Sequence, residues 1–353
     1  MSGRACIVGV GGAGCKILDS ACQAIQGDAP ALVAINTDAA ALSACRATTK
    51  IQIGVMRTDG LGTGGDINLG KLSAKDEIEM LRSLFSDMKL VLCVTGLGGG
   101  TGTGATPLVL STAHDAGAMT LCFATLPFKF EGMQRRMQSD KALTEIREFT
   151  DALIVVPNDR LAESVGSGNV AETFEKADRV LGEGICAIWK LVSKPGFVNL
   201  DFADIQTMIN NSGGVCTFGF GSGTGPDKAK QALKELIEGP LVGKGEVISS
   251  ARAILVSVVG GPDLALKEVE YIMAGVTGKA SKECHLFVGT VVDEAYTDRI
   301  TITILASEQW LAQVTSGAIQ PAEEEEPVEG RLQKKDRHKQ KQVQETLTFE
   351  ETA

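Results

Sequence analysis

The sequence predicts an α/β protein: a parallel-sheet domain joined by one long central helix to a smaller α/β domain, with a disordered tail behind it. Three observations predict this. From residue 5 to about 156, short apolar runs rich in β-branched residues alternate with longer amphipathic stretches. Residues 170–193 hold one unbroken helical period, and from about Gly317 the apolar period stops. Continuous apolar strands separated by helices indicate a parallel sheet covered on both faces, because a strand buried on both sides has no polar face to alternate with.

Taken in order, the expected strands of the first domain (1–169) are Ala5–Val10, Ala31–Asn36, Leu90–Thr95, Met119–Leu126 and Ala152–Val156. Helices are expected over Gly14–Ile25, Leu69–Phe85, Gly104–Ala116 and Met133–Phe149. The central helix (170–194) repeats Val170, Phe174, Ala177, Leu181, Ile185 and Ile188 at helical spacing, and Pro195-Gly196 stops it. The second domain (195–316) has strands near Val215–Phe220, Ala253–Val259, Leu286–Val292 and Ile300–Leu305, with helices near Lys228–Ile237 and Leu264–Met273. In the tail (317–353), Glu323 to Glu326 is an acid block and Arg331 to Gln344 is basic and Gln-rich. Such a composition buries too little apolar surface to offset ordering.

The chain carries 34 Lys+Arg against 44 Asp+Glu, a formal charge of −10. That balance argues against a nucleic-acid coat or a polybasic membrane binder, and no nucleic-acid partner is expected. It leaves open a small anion held by backbone N–H groups. Nine cysteines without a C-x-x-C pair, mostly in apolar runs, predict buried free thiols in a reducing compartment rather than disulfides or a zinc cluster. His114, His285 and His338 lie far apart in sequence and suggest no metal-ligand set. Met1-Ser2-Gly3-Arg4 runs straight into a strand, and no apolar run reaches the ~18 residues of a membrane span, so a cytoplasmic location is expected.

Glycine is in excess, with 41 residues in 353 against roughly 7% in ordinary usage. Much of the surplus lies in residues 9–14, 60–70 and 96–104, and the first and last of these hold strand-to-helix loops. Gly9-Val10-Gly11-Gly12-Ala13-Gly14 follows a strand and opens a helix, and Asp38 follows on the next strand. Alone this reads as a dinucleotide fingerprint, but a nicotinamide enzyme would leave the second loop unexplained. That loop, Gly98-Gly99-Gly100-Thr101-Gly102-Thr103-Gly104, also sits between strand and helix and lacks P-loop spacing. It brings N–H groups and the hydroxyls of Thr101 and Thr103 to a helix N-terminus, where phosphate oxygens are favoured. Two such cradles on adjacent strands suggest a ligand with several phosphates.

Gly98 to Gly104 resembles the signature loop of the tubulin/FtsZ superfamily. Pro127-Phe128-Lys129-Phe130-Glu131-Gly132, Val155-Val156-Pro157-Asn158-Asp159-Arg160 and Asn199-Leu200-Asp201-Phe202-Ala203-Asp204 resemble its FtsZ branch, in order between about residue 5 and about 308. The resemblance implies a GTPase domain, GTP or GDP as ligand with Mg2+ beside it, and head-to-tail filaments of the chain with itself. It places Gly11, Gly12, Ala13, Gly14, Cys15 and Lys16 of the first loop at the nucleotide, with Gly98, Gly99, Gly100, Thr101 and Gly102 of the second. No protein side chain is assigned to the metal.

Glu131 and Arg135 are four apart, so they form either an i,i+4 ion pair or, as the resemblance implies, part of the nucleotide site. Asn158, at a strand's C-terminal end, can read a base edge. Phe174 can stack on a base or pack in the core. Asp178 can accept from guanine N1 and N2 or point to solvent. Asp201 and Asp204 cap a helix start on a bland reading; the resemblance makes them, with Asn199, the hydrolytic group that enters the next subunit's pocket. GTP would then be hydrolysed at the interface between subunits. Several departures mark a divergent member, and one is Cys15, where the family has a further Gly or Asn. Lys16 stands where the family usually has Asn, reaching a phosphate or pointing outward. Asp59 replaces a commonly basic residue, and Met133 and Gln134 replace basic ones. The tail lacks the family's usual docking peptide for membrane tethers, for which Leu347 and Phe349 are weak substitutes. The alternative reading is a GTP-binding scaffold with little hydrolysis and a role other than division.

Overall fold

A computed structural model of the chain describes residues 5–25, 29–166, 168–193 and 214–307. These belong to one compact unit, and residues 321–353 lie outside the described residues. The expected tail and the segment holding Asn199, Asp201 and Asp204 also fall outside them.

Ten strands form one sheet: β1 Ala5–Val10, β2 Ala31–Asn36, β3 Thr49–Gln52, β4 Leu90–Gly96, β5 Met119–Leu126, β6 Ala152–Pro157, β7 Val215–Thr224, β8 Ala253–Gly260, β9 His285–Val292 and β10 Arg299–Ser307. Their order is β3-β2-β1-β4-β5-β6-β7-β10-β8-β9. The run from β3 to β7 is parallel throughout. β10 then pairs antiparallel with both β7 and β8, and β9 returns parallel to β8. The β6–β7 seam is short, from Leu153↔Val215 to Val155↔Thr217, whereas β7 pairs with β10 along nine residues. The second region is thus joined to the first through the sheet as well as through the central helix.

The helices of the first region are α1 Gly11–Ala24, α2 Ala39–Ala44, α3 Val55–Thr58, α4 Ile67–Asp76, α5 Ile78–Phe85, α6 Gly100–Asp115, α7 Met133–Glu148, α8 Asn158–Ser164 and α9 Val170–Ser193. β1 is buried at every residue because both faces of the sheet are covered. Ile7, Leu92, Phe123 and Ile154 join Leu18 of α1 and Ile185 and Trp189 of α9 on one face. Val8, Val10, Val91 and Cys93 join Phe85, Val109 and Leu143 on the other. A third core, with Leu236, Ile254, Val256 and Ile302, lies in the second region.

Three expectations need correction. α1 and α6 begin at Gly11 and Gly100, not Gly14 and Gly104. Low glycine propensity argued for loops there, but close packing overrides it: a Cβ on Gly100 or Gly104 would collide with Thr63, Asp66 and Ile67. The helix expected over Leu69–Phe85 is two, broken at Glu77, whose N–H bonds to the Ala74 carbonyl at 3.3 Å. The edge strand β3 was not anticipated, because Ile51 is its one buried residue.

Among the described residues, α9 carries one buried and one partly buried ion pair to the second region. Lys190 Nζ lies 2.9 Å from Asp293 Oδ2 and 4.5 Å from the Tyr296 ring centroid. Glu183 Oε2 accepts from Arg299 Nη2 at 2.5 Å. α9 also crosses α1 closely: a Cβ on Gly182 would sit 2.6 Å from Ala21 N. All nine cysteines are free and seven are buried. Burial pushes the Cys6 and Cys15 thiols up to about 12 and those of Cys22 and Cys186 up to about 11. Among the described residues, no helix is long and apolar enough to cross a membrane.

Candidate functional site

Parallel pairing brings the C-terminal ends of β1, β4, β5 and β6 to one edge of the sheet. Ligands of open α/β sheets bind at that edge. α1 starts directly after β1, and α6 starts four residues after β4. Neither helix has a side-chain cap or an acidic residue in its first turn. Their leading N–H groups therefore lack an intrahelical partner, and the aligned peptide dipoles favour an anion in front of them.

The two starts touch. Gly11 holds φ 74°, and a Cβ there would sit 2.8 Å from Gly102 N. A side chain on Gly14 would strike the Val94 carbonyl, and one on Gly102 the Gly96 carbonyl. Packing alone accounts for these glycines. Gly12 and Gly99 differ, since a Cβ on either would meet nothing within 4 Å. At those two positions bare backbone faces open space, which is what close approach of an anion to N–H groups requires. The neighbouring acids are already engaged as helix caps: Asp38 accepts from Ala41 N–H at 2.9 Å and Asp66 from Leu69 N–H at 3.0 Å. Asp38 thereby has a role that needs no ribose.

The hydroxyls expected to face phosphate are held inside the protein. Thr103 Oγ1 accepts from Gly98 N–H at 2.8 Å. Thr101 Oγ1 lies 2.7 Å from Thr37 Oγ1 and 3.3 Å from Thr63 Oγ1. They brace the turn and engage the Gly98 N–H, which leaves the later N–H groups of the turn as the donors an anion could meet. Cys15 likewise turns its side chain into the core, with Sγ 3.8 Å from the Gly9 carbonyl, so its backbone is the part that borders the site.

Beside the first turn of α1 lies a cavity of about 290 Å³. Gly12, Ala13 and Lys16 of α1 line one side, Asn158 of α8 another, and Phe174 and Asp178 of α9 a third. Six of the sequence-predicted residues therefore meet around one space. Phe174 is 43% exposed and packs edge-on to Phe128 at 5.4 Å between centroids, so it forms a cavity wall and not core. Burial pushes the Asp178 carboxyl up to about 6, and the positive charge of Lys16 opposes that shift. Gly98, Gly99, Gly100, Thr101 and Gly102 do not line this cavity; they adjoin it through the Gly11–Gly102 contact.

Glu131 and Arg135 are brought to each other rather than to the cavity. Arg135 Nη1 donates to Glu131 Oε2 at 2.5 Å, and Glu131 Oε1 accepts from Phe128 N–H at 2.9 Å. Thr125, Phe128 and Leu161 line the cavity and were not singled out as site residues. Phe128 had a signal, since it lies in the Pro127–Gly132 run; Thr125 and Leu161 had none. Among the described residues no group of three or more His, Cys, Asp or Glu is placed to hold a metal ion.

Residues 4–166 match the family model for the tubulin/FtsZ family GTPase domain, and residues 214–309 match that for the FtsZ family C-terminal domain. The chain is 37% identical over 288 residues to cell division protein FtsZ 1 of Archaeoglobus fulgidus, covering 81% of this chain and 77% of that protein. Its structure is similar to an empty FtsZ dimer from M. jannaschii, with TM-score 0.79 and 32% identity over 89% of each chain. It shares a fold with CetZ2 from Haloferax volcanii, solved as a GTPgS-bound protofilament, at TM-score 0.71 and 20% identity over 90% of this chain and 97% of that one.

Proposed function

The chain belongs to the tubulin/FtsZ family, and from that premise we propose that it is a cytoplasmic GTP-binding filament subunit that hydrolyses GTP where two copies meet head to tail. The observation that carries the reading is the meeting of two uncapped glycine turns beside a cavity walled by Asn158, Phe174 and Asp178. N–H groups of Gly11–Gly14 and Gly99–Gly102 hold the phosphates, while the Gly98 N–H stays on Thr103 Oγ1 and braces the turn. Phe174 stacks on the base, Asp178 accepts from guanine N1 and N2, and Asn158 contacts the base edge. Glu131 and Arg135 border the ribose and phosphates and open their mutual ion pair toward the ligand.

Neither cradle has an acid free to polarise water, because Asp38 and Asp66 cap helices. The proposal therefore assigns that task to Asp201 and Asp204, with Asn199, of a neighbouring copy. Mg2+ accompanies the nucleotide and offsets phosphate charge; phosphate oxygens and water suit it as ligands. The residues of the tail, Leu347 and Phe349 among them, are proposed to contact a membrane tether or regulator. A role in cell division follows the named relative. A scaffold with little turnover is the second reading, motivated by Lys16 and by Asp59, an exposed residue at φ 49° in the loop after α3.

Phosphate release measured across protein concentrations tests the reading. It is expected to rise more than linearly, with sedimentable polymer and filaments by electron microscopy in GTP and not GDP. Strictly proportional release from the lowest concentrations, without polymer, would overturn it. Persistent filaments with negligible phosphate release would favour the scaffold. Asp204→Ala is expected to keep GDP affinity and slow turnover; loss of binding instead would show the residue misassigned.

A further inference from the structure

We propose that Cys15 and Cys45 are a redox pair: a small disulfide oxidant joins them, and the bond weakens nucleotide binding at the turn that holds Cys15. The bond needs no ligand; its effect on binding rests on the GTP-binding reading above. Cys15, Asp19 and Cys22 follow one another along one face of α1 at spacings of four and three residues. Cys45, at the C-terminal end of α2, meets that face. Its Sγ lies 3.8 Å from the Cys15 carbonyl oxygen and donates to Asp19 Oδ1 at 3.1 Å. The same Asp19 oxygen accepts from Arg46 N–H at 2.6 Å, which fixes the segment carrying Cys45 against the helix. Cys15 and Cys45 are also hydrogen-bond partners through their side chains. Two sulfurs thus meet between two elements that the chain joins through β2.

Cys45 is the entry point. It is buried between exposed Ala44 and Arg46 in a surface segment, so a small local opening uncovers its thiol. Its thiolate attacks one sulfur of the oxidant and expels the first small thiol, leaving a mixed disulfide. The Cys15 thiolate then attacks the Cys45 sulfur of that mixed disulfide and expels the second. Two protein thiols are oxidised to one disulfide, and one small disulfide is reduced to two thiols, which carry away both protons. Burial, and then the Asp19 carboxylate, hold Cys45 in the thiol form, so exchange at neutral pH is slow. Cys93 and Cys122 are thiol partners too, but they are register neighbours on β4 and β5 inside the core, where no oxidant reaches them unless the sheet opens. The effect on the site follows from the position of Cys15. Its Sγ lies 3.8 Å from the Gly9 carbonyl, beneath the turn that opens α1. That turn has no slack: a Cβ on Gly9 would sit 2.6 Å from Gly14 O, and one on Gly14 would sit 2.4 Å from Val94 O. Bonding brings two sulfurs from non-bonded contact to about 2 Å, which draws Cys15 toward α2. The N–H groups of Gly12, Ala13 and Gly14 move with it, away from where an anion meets them.

The test holds the full chain in glutathione buffers of rising oxidised fraction. Bonds are mapped by non-reducing peptide mass spectrometry, and GDP dissociation constants are measured for the reduced and oxidised forms. A Cys15–Cys45 disulfide is expected, with Cys93 and Cys122 left as thiols, and GDP affinity about tenfold lower in the oxidised form. Linkage requires the reverse as well: saturating GDP is expected to move the midpoint of oxidation by about 30 mV, the two-electron equivalent of tenfold, toward the oxidising side. Cys45→Ser, whose hydroxyl can still donate to Asp19, is expected to bind GDP as the reduced chain does and to lose both responses. Cys22→Ser is expected to keep both. Cys15 and Cys45 remaining unlinked, or Cys45 pairing with Cys22, would overturn the assignment. A Cys15–Cys45 bond that leaves GDP affinity and the midpoint unchanged would overturn its effect on the site. A reduced chain that fails to bind GDP would overturn the GTP reading instead, and the bond map would still decide whether the pair closes.

Discussion

The two halves of α9 put charge to opposite uses. In its first half, Phe174 and Asp178 face the cavity, Phe174 is exposed, and Asp178 makes no ion-pair contact among the described residues. In its second half every residue from Leu181 to Leu191 is buried, and the charges of Glu183 and Lys190 are met by Arg299 and Asp293. The Gly182 crossing of α1 separates the two. One helix of roughly 36 Å therefore has an end that can change partners and an end that cannot. The contrast sets charge left open toward a cavity, which we propose serves ligand recognition, against charge closed in the joint between regions.

Breaking the closed end has the largest expected effect. Lys190→Ala takes the ammonium from a buried carboxylate and is expected to destabilise the protein by about 3–5 kcal/mol, read as a shift of the urea midpoint. A loss below about 1 kcal/mol would mean that this pair behaves like a surface one. Next comes the divider. Gly182→Val forces side-chain atoms into the backbone at Ser20 and Ala21 and is expected to cost about 1–3 kcal/mol. Because it pushes α9 off α1, it should also weaken GDP binding; normal affinity with lowered stability would show that the two ends are uncoupled.

At the open end the balance reverses. Phe174→Ala is expected to leave the urea midpoint nearly unchanged and to lower GDP affinity by about 1–3 kcal/mol, the usual worth of a base stacked on an aromatic ring. An equal loss of stability would return Phe174 to the core. The smallest effect is on pH. The folded Asp178 carboxyl sits at about 6, above its ordinary range, so protonation stabilises the empty protein. That contribution is complete at pH values below the ordinary carboxylate range and is lost as pH rises through about 6. Guanine needs the ionised form, so GDP affinity is expected to decline as pH falls below about 6. Titration calorimetry between pH 5 and 8 checks this, and a flat profile that Asp178→Asn does not alter would remove the carboxylate from base recognition.

Where burial alone decides an element, the sequence showed it to the residue. Ala5–Val10, Ala31–Asn36 and Met119–Leu126 were read with the bounds they have, and α9 was read over its full length. Where two backbones meet, the pattern was blind. Gly100 read as loop because what it packs against, Thr63 and Asp66 just ahead of α4, lies more than thirty residues earlier in the chain. The break at Glu77 left no trace because Gly70, Ala74, Leu81 and Phe85 keep helical spacing across it. The site was legible in kind and less so in detail. Lys16, Asn158, Phe174 and Asp178 were named and do line one cavity, while the hydroxyls of Thr101 and Thr103 proved to be braces. Gly182 was overlooked, since a mid-helix glycine signals close approach without saying to what.

The burial of the thiols has a use as a clock. A thiol held at about 11 or 12 is almost wholly un-ionised at neutral pH, and the un-ionised form scarcely reacts with alkylating reagents. Cys6 reports on β1, Cys15 on the first turns of α1 and Cys186 on the closed half of α9. Each becomes reactive when its own element opens. Timed alkylation of the unmodified chain, followed by peptide mass spectrometry, would therefore rank these elements by the frequency with which they come apart, with no added label.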